Sequence, residues 1–201
     1  MYVVDDDDAV RQSVIGLLDS ADLNAVGFSS AEAFLQHRFE ELPSCVVLDM
    51  QMPVISGFEV ADALKDSGRE IPIIFLTGHG TIPMSVRAIK GGAYEFLTKP
   101  VESNALIDAI ESALQLAENN AVRNKEHYAL KQRHMSLTPR EHEVLTLAIS
   151  GMLNKQIAAE LGVSEITVKV HRRRVMEKMQ VRSVAELVRA VERLTNSQPA
   201  E

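Results

Sequence analysis

Five polar side chains stand at or just past the ends of short apolar runs, and their types are those of phosphoryl-transfer chemistry. Asp5 and Asp6 follow Tyr2–Val4, Asp49 follows Cys45–Leu48, Thr77 follows Ile71–Leu76, and Lys99 follows Tyr94–Leu97. If the runs are strands of one open parallel sheet, these residues meet outside its carboxyl edge, where the connections diverge. Three clustered carboxylates cannot all stay ionised cheaply without a cation. Mg²⁺, hard, octahedral and partly hydrated, suits carboxylates plus a backbone carbonyl. With its charge in place, Asp49 can act as a nucleophile towards a phosphoryl group. Lys99 offers a second positive charge and Thr77 a hydroxyl donor.

The elements that must position these groups are legible as alternating patterns. Runs at Tyr2–Val4, Asn24–Phe28, Cys45–Leu48, Ile71–Leu76 and Tyr94–Leu97 read as five buried strands. Between them apolar residues recur at helical spacing, as in Val10, Val14, Leu17 and Leu18, or Phe58, Val60, Ala61 and Leu64. A further helix carries Leu106, Ile107, Ile110, Ala113 and Leu114, with Ser103 expected to open it. Asp7 and Asp8 are expected in the first turn of the first helix, where its dipole favours them. The fold predicted is an α/β doubly wound layer structure with five parallel strands, then an all-α domain. From about Ala117 to Ser136 the chain turns polar and lacks Gly and Pro, which suggests a helical linker.

After the linker the pattern is helical only. Thr138-Pro139-Arg140-Glu141 is a helix start, with Thr as cap, Pro in the first position and an acid at the third. A short helix from about Asn154 to Leu161 stops at Gly162, and Val163-Ser164 leads into a third from Glu165 to about Met179. That spacing is a helix-turn-helix. On the third helix Val168, Val175 and Met179 share an inward face, while Ile166, Lys169, Val170, Arg173 and Glu177 share the opposite one. Such an outer face can enter the major groove. Asn154, Lys155, Thr167 and Arg174 are placed for phosphates. In the last helix Val184, Leu187, Val188, Val191 and Leu194 form an apolar set, of which four are expected in the core. The tail from Asn196 is expected to fray.

Composition sets the limits. The 201 residues carry a net charge of −7, yet residues 1–120 hold 19 acidic and 7 basic side chains, and residues 121–201 hold 9 and 14. An acidic half beside a basic one suggests two tasks, the basic half near phosphates. No apolar run approaches a membrane span of roughly 20 residues, and the start does not resemble a signal peptide. The single cysteine, Cys45, cannot form an internal disulfide. A cytoplasmic protein with no membrane partner is the expectation.

Val3-Val4-Asp5-Asp6, Val47-Leu48-Asp49-Met50-Gln51-Met52-Pro53, Leu76-Thr77-Gly78-His79-Gly80 and Leu97-Thr98-Lys99-Pro100 resemble the marks of the two-component receiver domain. Leu137-Thr138-Pro139-Arg140-Glu141, Asn154-Lys155-Gln156-Ile157-Ala158 and Val163–His171 resemble the LuxR-type output domain. Together they are similar to the NarL/FixJ family of response regulators, nearer FixJ through Gly78–Ala88. The resemblance implies a flavodoxin-like receiver over residues 1–117, a linker over 118–136 and a DNA-binding domain over 137–196.

It further implies that Asp49 is the phosphoacceptor and that Asp5, Asp6, Asp49 and the Gln51 carbonyl hold Mg²⁺, Asp6 directly and Asp5 mainly through water. Thr77 and Phe96 would be the switch pair, Lys99 the phosphoryl partner, and Lys99–Pro100 a cis bond. Gln51 and His79 are expected in solvent, where receivers tune phosphate lifetime. Lys169, Val170 and Arg173 are the implied base readers. The implied partners are a sensor histidine kinase, double-stranded promoter DNA and a second copy of the chain when phosphorylated; RNA polymerase is a candidate further partner. The receiver would catalyse only its own phosphorylation and dephosphorylation.

Rival classes fit less well. Phosphohydrolases of the haloacid dehalogenase type place a second acid two residues after the nucleophile, and Gln51 stands there. Against a quorum sensor with the same output domain and a small-molecule pocket stand the strand-end carboxylates, and residues 1–120 with no Trp and only two Tyr. A DNA-binding regulator with a phosphorylation-independent receiver stays open.

Overall fold

The computed structural model describes residues 1–40 and 42–196, the last without its side chain. The chain divides into two compact units, Met1–Val122 and Arg123 onward. In the first, β1 (Tyr2–Val4), β2 (Val26–Phe28), β3 (Val46–Leu48), β4 (Ile73–Thr77) and β5 (Glu95–Thr98) form one parallel sheet of order β2-β1-β3-β4-β5. This is the flavodoxin-like, doubly wound order. Pairing starts later than the apolar runs at β2 and β4, and Pro72, which lacks an N–H, lies just outside β4. At the other end Thr77 and Thr98 pair with each other beyond the last apolar residue.

Successive strand residues point to opposite faces, and the core splits accordingly. Val3, Val47, Ile74 and Leu76 pack with Val14 and Leu18 of α1 (Asp8–Ser20) and with Leu106, Ile110 and Ala113 of α5 (Ser103–Met135). Val4, Leu48, Ile73 and Phe75 pack on the other side. Their partners there are Phe34 of α2 (Ala31–Leu35), Val60 and Leu64 of α3 (Gly57–Asp66), and Ala88 of α4 (Ile82–Lys90). Helix boundaries differ slightly from expectation. Asp7 caps α1 from outside its first turn, its carboxylate accepting from the Ala9 and Val10 N–H groups at 2.8 and 3.1 Å. The Leu106 N–H bonds back to the Glu102 carbonyl at 3.1 Å, so Ser103 is already inside α5 and does not cap it.

The second unit holds α6 (Pro139–Ile149), α7 (Asn154–Leu161), α8 (Glu165–Met179) and α9 (Val184–Asn196). Thr138 and Glu141 form the expected capping box of α6. Val144, Ala148, Ile157, Ala158 and Val168 make one core cluster; Leu137, Leu145, Val175, Met179, Leu187 and Ala190 make another. The expectation that four of the five apolar residues of α9 are core needs correcting. Only Leu187 is fully buried, while Val184, Val188, Val191 and Leu194 are half-buried. Leu187 and Ala190, three residues apart, make the contact line, and residues beside it are only partly covered. Of the tail expected to fray, residues 197–201 lie outside the described residues.

Candidate functional site

Backbone pairing fixes the first site. The Asp5 N–H bonds to the Phe28 carbonyl at 3.1 Å, the Asp49 N–H to the Val4 carbonyl at 2.8 Å, and the Lys99 N–H to the Thr77 carbonyl at 2.8 Å. Each side chain is thereby held one step past a strand, beside the place where the strand order reverses. Ligand oxygens of Asp5, Asp6 and Asp49 all lie within 4.8 Å of one another. Asp5 and Asp49 are buried and Asp6 is exposed. Lys99 Nζ donates to Asp5 Oδ2 at 2.6 Å and to Asp49 Oδ1 at 3.3 Å.

Burial pushes the Asp49 carboxyl above the ordinary carboxylate range; Lys99 opposes this and the Asp5 charge adds to it. Burial disfavours the Lys99 ammonium, yet the hydrogen bond to Asp5 and the charges of Asp49 and Asp5 hold it above the usual lysine value. A cluster of oxygen donors with an excess of negative charge is the donor set a hard divalent cation takes. Thr77 is buried, and its Oγ1 accepts from the His79 N–H at 3.3 Å. Phe96 is half-buried on β5. A Cβ on Gly80 would sit 3.0 Å from the Phe96 ring and 2.7 Å from Thr98 Cγ2, so the loop after β4 presses on that strand. Gln51 and His79 lie at the surface, as expected, and Lys99–Pro100 is cis.

Three parts of this pocket escaped sequence reasoning. A Cβ on Gly57 would lie 2.6 Å from the Asp49 carbonyl oxygen, so glycine there lets α3 start against the backbone of Asp49. Arg11 Nη1 donates to the Asp5 carbonyl at 2.7 Å and its other nitrogen pairs with Asp8. Pro53–Ile55 form a tight turn, the Ile55 N–H bonding to the Pro53 carbonyl at 2.8 Å, with Val54 exposed at φ +69°. A β-branched residue seldom takes that conformation, and such strain concentrates where a loop serves a site. Pro53 and Gly57 mark a turn in the sequence, but nothing local marks the Arg11 contact.

The second site is the outer surface of α7 and α8. Val168, Val175 and Met179 are buried as predicted, and Ile166, Lys169, Val170, Arg173 and Glu177 are exposed. Ser164 caps α8, accepting from the Thr167 N–H at 3.1 Å, and Gly162 turns the chain at φ +65°. Lys169 Nζ lies 3.3 Å from Glu165, and Arg173 Nε donates to Glu177 at 2.7 Å. Lys155 and Arg174 are exposed, whereas Asn154 is half-buried and its Oδ1 accepts from Arg172 at 2.7 Å. The Thr167 hydroxyl is bonded to that of Ser164 at 2.8 Å. Sequence reasoning missed a half-buried ion pair in this unit: Lys178 Nζ donates to Glu141 Oε2 at 2.6 Å and to the Ser136 carbonyl at 2.9 Å.

Comparison with known proteins matches both halves. Residues 1–111 match the response regulator receiver domain and residues 135–191 the bacterial regulatory proteins of the luxR family. The response regulator protein TodT of Pseudomonas putida is 47% identical over 200 residues, spanning 98% of this chain and 87% of its own. The transcriptional regulatory protein FixJ of Bradyrhizobium diazoefficiens is 42% identical over 193 residues, spanning 94% and 92%. Among solved structures, the response regulator StyR is 51% identical with a TM-score of 0.84, covering 95% of this chain and 96% of its own. Full-length FixJ from B. japonicum is 41% identical with a TM-score of 0.56, covering 97% and 96%. Among the described residues no helix is long and apolar enough to cross a membrane.

Proposed function

Since this chain belongs to the response regulators that join a receiver to a LuxR-type DNA-binding domain, we propose that it is a transcription factor switched by phosphorylation of Asp49. The observation that carries the reading is the packing of three carboxylates within 4.8 Å, with Lys99 bonded to two of them. Asp5, Asp6, Asp49 and the Gln51 carbonyl would hold Mg²⁺, which supplies positive charge for the oxygens of the phosphoryl group in transfer. Asp49 presents an oxygen to the phosphorus. A P–O bond forms as the P–N bond of a kinase phosphohistidine breaks, and the leaving imidazole takes up a proton. Lys99 then exchanges a carboxylate partner for a phosphoryl oxygen.

Thr77 couples the pocket to the surface in this reading. Its hydroxyl turns to the phosphoryl oxygen, and Phe96 moves into the space beside it. The packing of Gly80 against Phe96 means the loop after β4 moves with the ring. A two-state switch of this kind needs only a few kcal/mol of differential stabilisation. The exposed apolar stripe Ile82, Val86 and Ile89 on α4 supports dimerisation of the phosphorylated receiver.

The domains are proposed as receiver 1–117, linker 118–136 and output 137–196. Lys169, Val170 and Arg173 read bases, and Asn154, Lys155, Thr167 and Arg174 take phosphates. Intact mass and solution mass after incubation with acetyl phosphate and Mg²⁺, beside Asp49→Asn, test the switch. One phosphoryl group gained, lost in the variant and accompanied by dimerisation, is the expected result. No gain under conditions that phosphorylate an unrelated receiver would leave a phosphorylation-independent DNA binder.

A further inference from the structure

Ile166 is 74% exposed and Val170, one turn on, is 45% exposed. At 100° per residue, Ile166, Val170, Arg173 and Glu177 fall within about 60° of one another on α8. Single apolar side chains at a surface carry no message. Two branched ones in line at the start of a helix whose flanks are ionic are a different matter. The cations beside them are drawn along the helix by acids of the same helix, Lys169 towards Glu165 at 3.3 Å and Arg173 towards Glu177 at 2.7 Å. The apolar pair therefore stands clear beside the base-reading candidates Lys169 and Arg173, with the phosphate candidates Lys155 and Arg174 also exposed.

We propose that Ile166 is a specificity-determining residue that, with Val170, reads the 5-methyl groups of neighbouring thymines in the major groove. The inference rests on the DNA-binding reading and adds a base class and a residue to it. Charge complementarity selects the occupant, because the pair lies within a cationic surface that suits a polyanion. Within that polyanion the thymine methyl is the one apolar group on the major-groove edge. Cytosine carries only a hydrogen at that ring carbon, so the pair favours A·T over G·C pairs beneath α8.

The test uses the full chain, with and without acetyl phosphate and Mg²⁺, to select duplexes from a random pool. Each thymine of the enriched site is then replaced by deoxyuridine, which deletes only the methyl group. Affinity should fall roughly fourfold at the positions under Ile166 and Val170, the worth of burying one such group. Ile166→Ala should lose a similar factor on the thymine site and be indifferent to deoxyuridine at its own position. It should remain sensitive at the position under Val170, and a thermal melt matching the parent would show the fold intact. Deoxyuridine tolerated at every position, or equal sensitivity in Ile166→Ala, overturns the proposal. Failure of the unaltered chain to enrich any duplex in either state overturns the DNA-binding reading itself, a different outcome.

Discussion

Lys99 lies 2.6 Å from Asp5 and 3.3 Å from Asp49, so one ammonium serves two buried carboxylates. Replacing it with Met strands both charges, and leaving a buried ion uncompensated is destabilising. Lys99→Met should melt several degrees below the parent in EDTA and recover part of the loss in millimolar Mg²⁺, read by calorimetry. Thr77→Ala separates uptake from response: intact mass should still register a phosphoryl group, and light scattering should register no dimer. Cys45 gives a third test. Burial pushes its thiol up to about 11, only slightly offset by the chain's amino terminus. The native chain at pH 8 should thus resist iodoacetamide, which attacks the thiolate, while the chain in denaturant takes up one carbamidomethyl group. Rapid labelling of the native chain would mean that β3 opens readily.

At the scale of elements, α6 and α8 are joined by Glu141 and Lys178. Glu141 is 2% exposed, and its carboxylate accepts from both the Thr138 N–H and Lys178. Burial alone would raise this carboxyl. The Lys178 hydrogen bond and the two from Thr138 outweigh it, so the group is held below the ordinary glutamate value. A depressed carboxyl stabilises the fold above its unfolded-state value, and that contribution is lost as pH falls through the folded one. The helical unit should therefore weaken below about pH 4.5, and Glu141→Gln should flatten that acid limb in circular dichroism melts. Lys178→Met, which leaves the acid buried and alone, should cost about 2 kcal/mol by urea unfolding. That is less than a fully buried pair would cost, because Lys178 keeps a third of its side chain in water.

The two helix starts at Thr138 and Ser164 were legible because caps are local, settled within three or four residues. The strands were legible because both faces of a parallel sheet are buried and the runs are nearly all apolar. The Glu141–Lys178 pair, the Arg11 contact to Asp5 and the close approach at Gly57 were not, since each depends on a neighbour that only folding supplies. The half-burial of α9 escaped for the same reason: periodicity gives a face, and packing decides how much of it is covered.

For the molecule as a whole, the uneven distribution of charge sets the conditions under which DNA binding can be measured. Screening length shortens with salt, and each phosphate neutralised contributes about 0.9 to the slope of log affinity against log salt concentration. Lys155→Ala and Arg174→Ala should each reduce that slope by about one and weaken all duplexes alike. An Arg173→Ala loss confined to the preferred sequence would instead mark a base contact. A slope unchanged in the first two variants would remove them from the phosphate set.

Asp5 and Lys99 are 94 residues apart, and their hydrogen bond closes the acidic pocket. During synthesis the amino-terminal aspartates are made well ahead of their lysine, by roughly 5–20 seconds at ordinary elongation rates. Over that interval Asp5 and then Asp49 lack the lysine that bonds to both. Arrested nascent chains ending before Lys99 should stay protease-sensitive, and chains long enough to release β5 and α5 should acquire protection together with the pocket. Completion of the acidic pocket and completion of the sheet are thus expected as a single event in the life of the polypeptide.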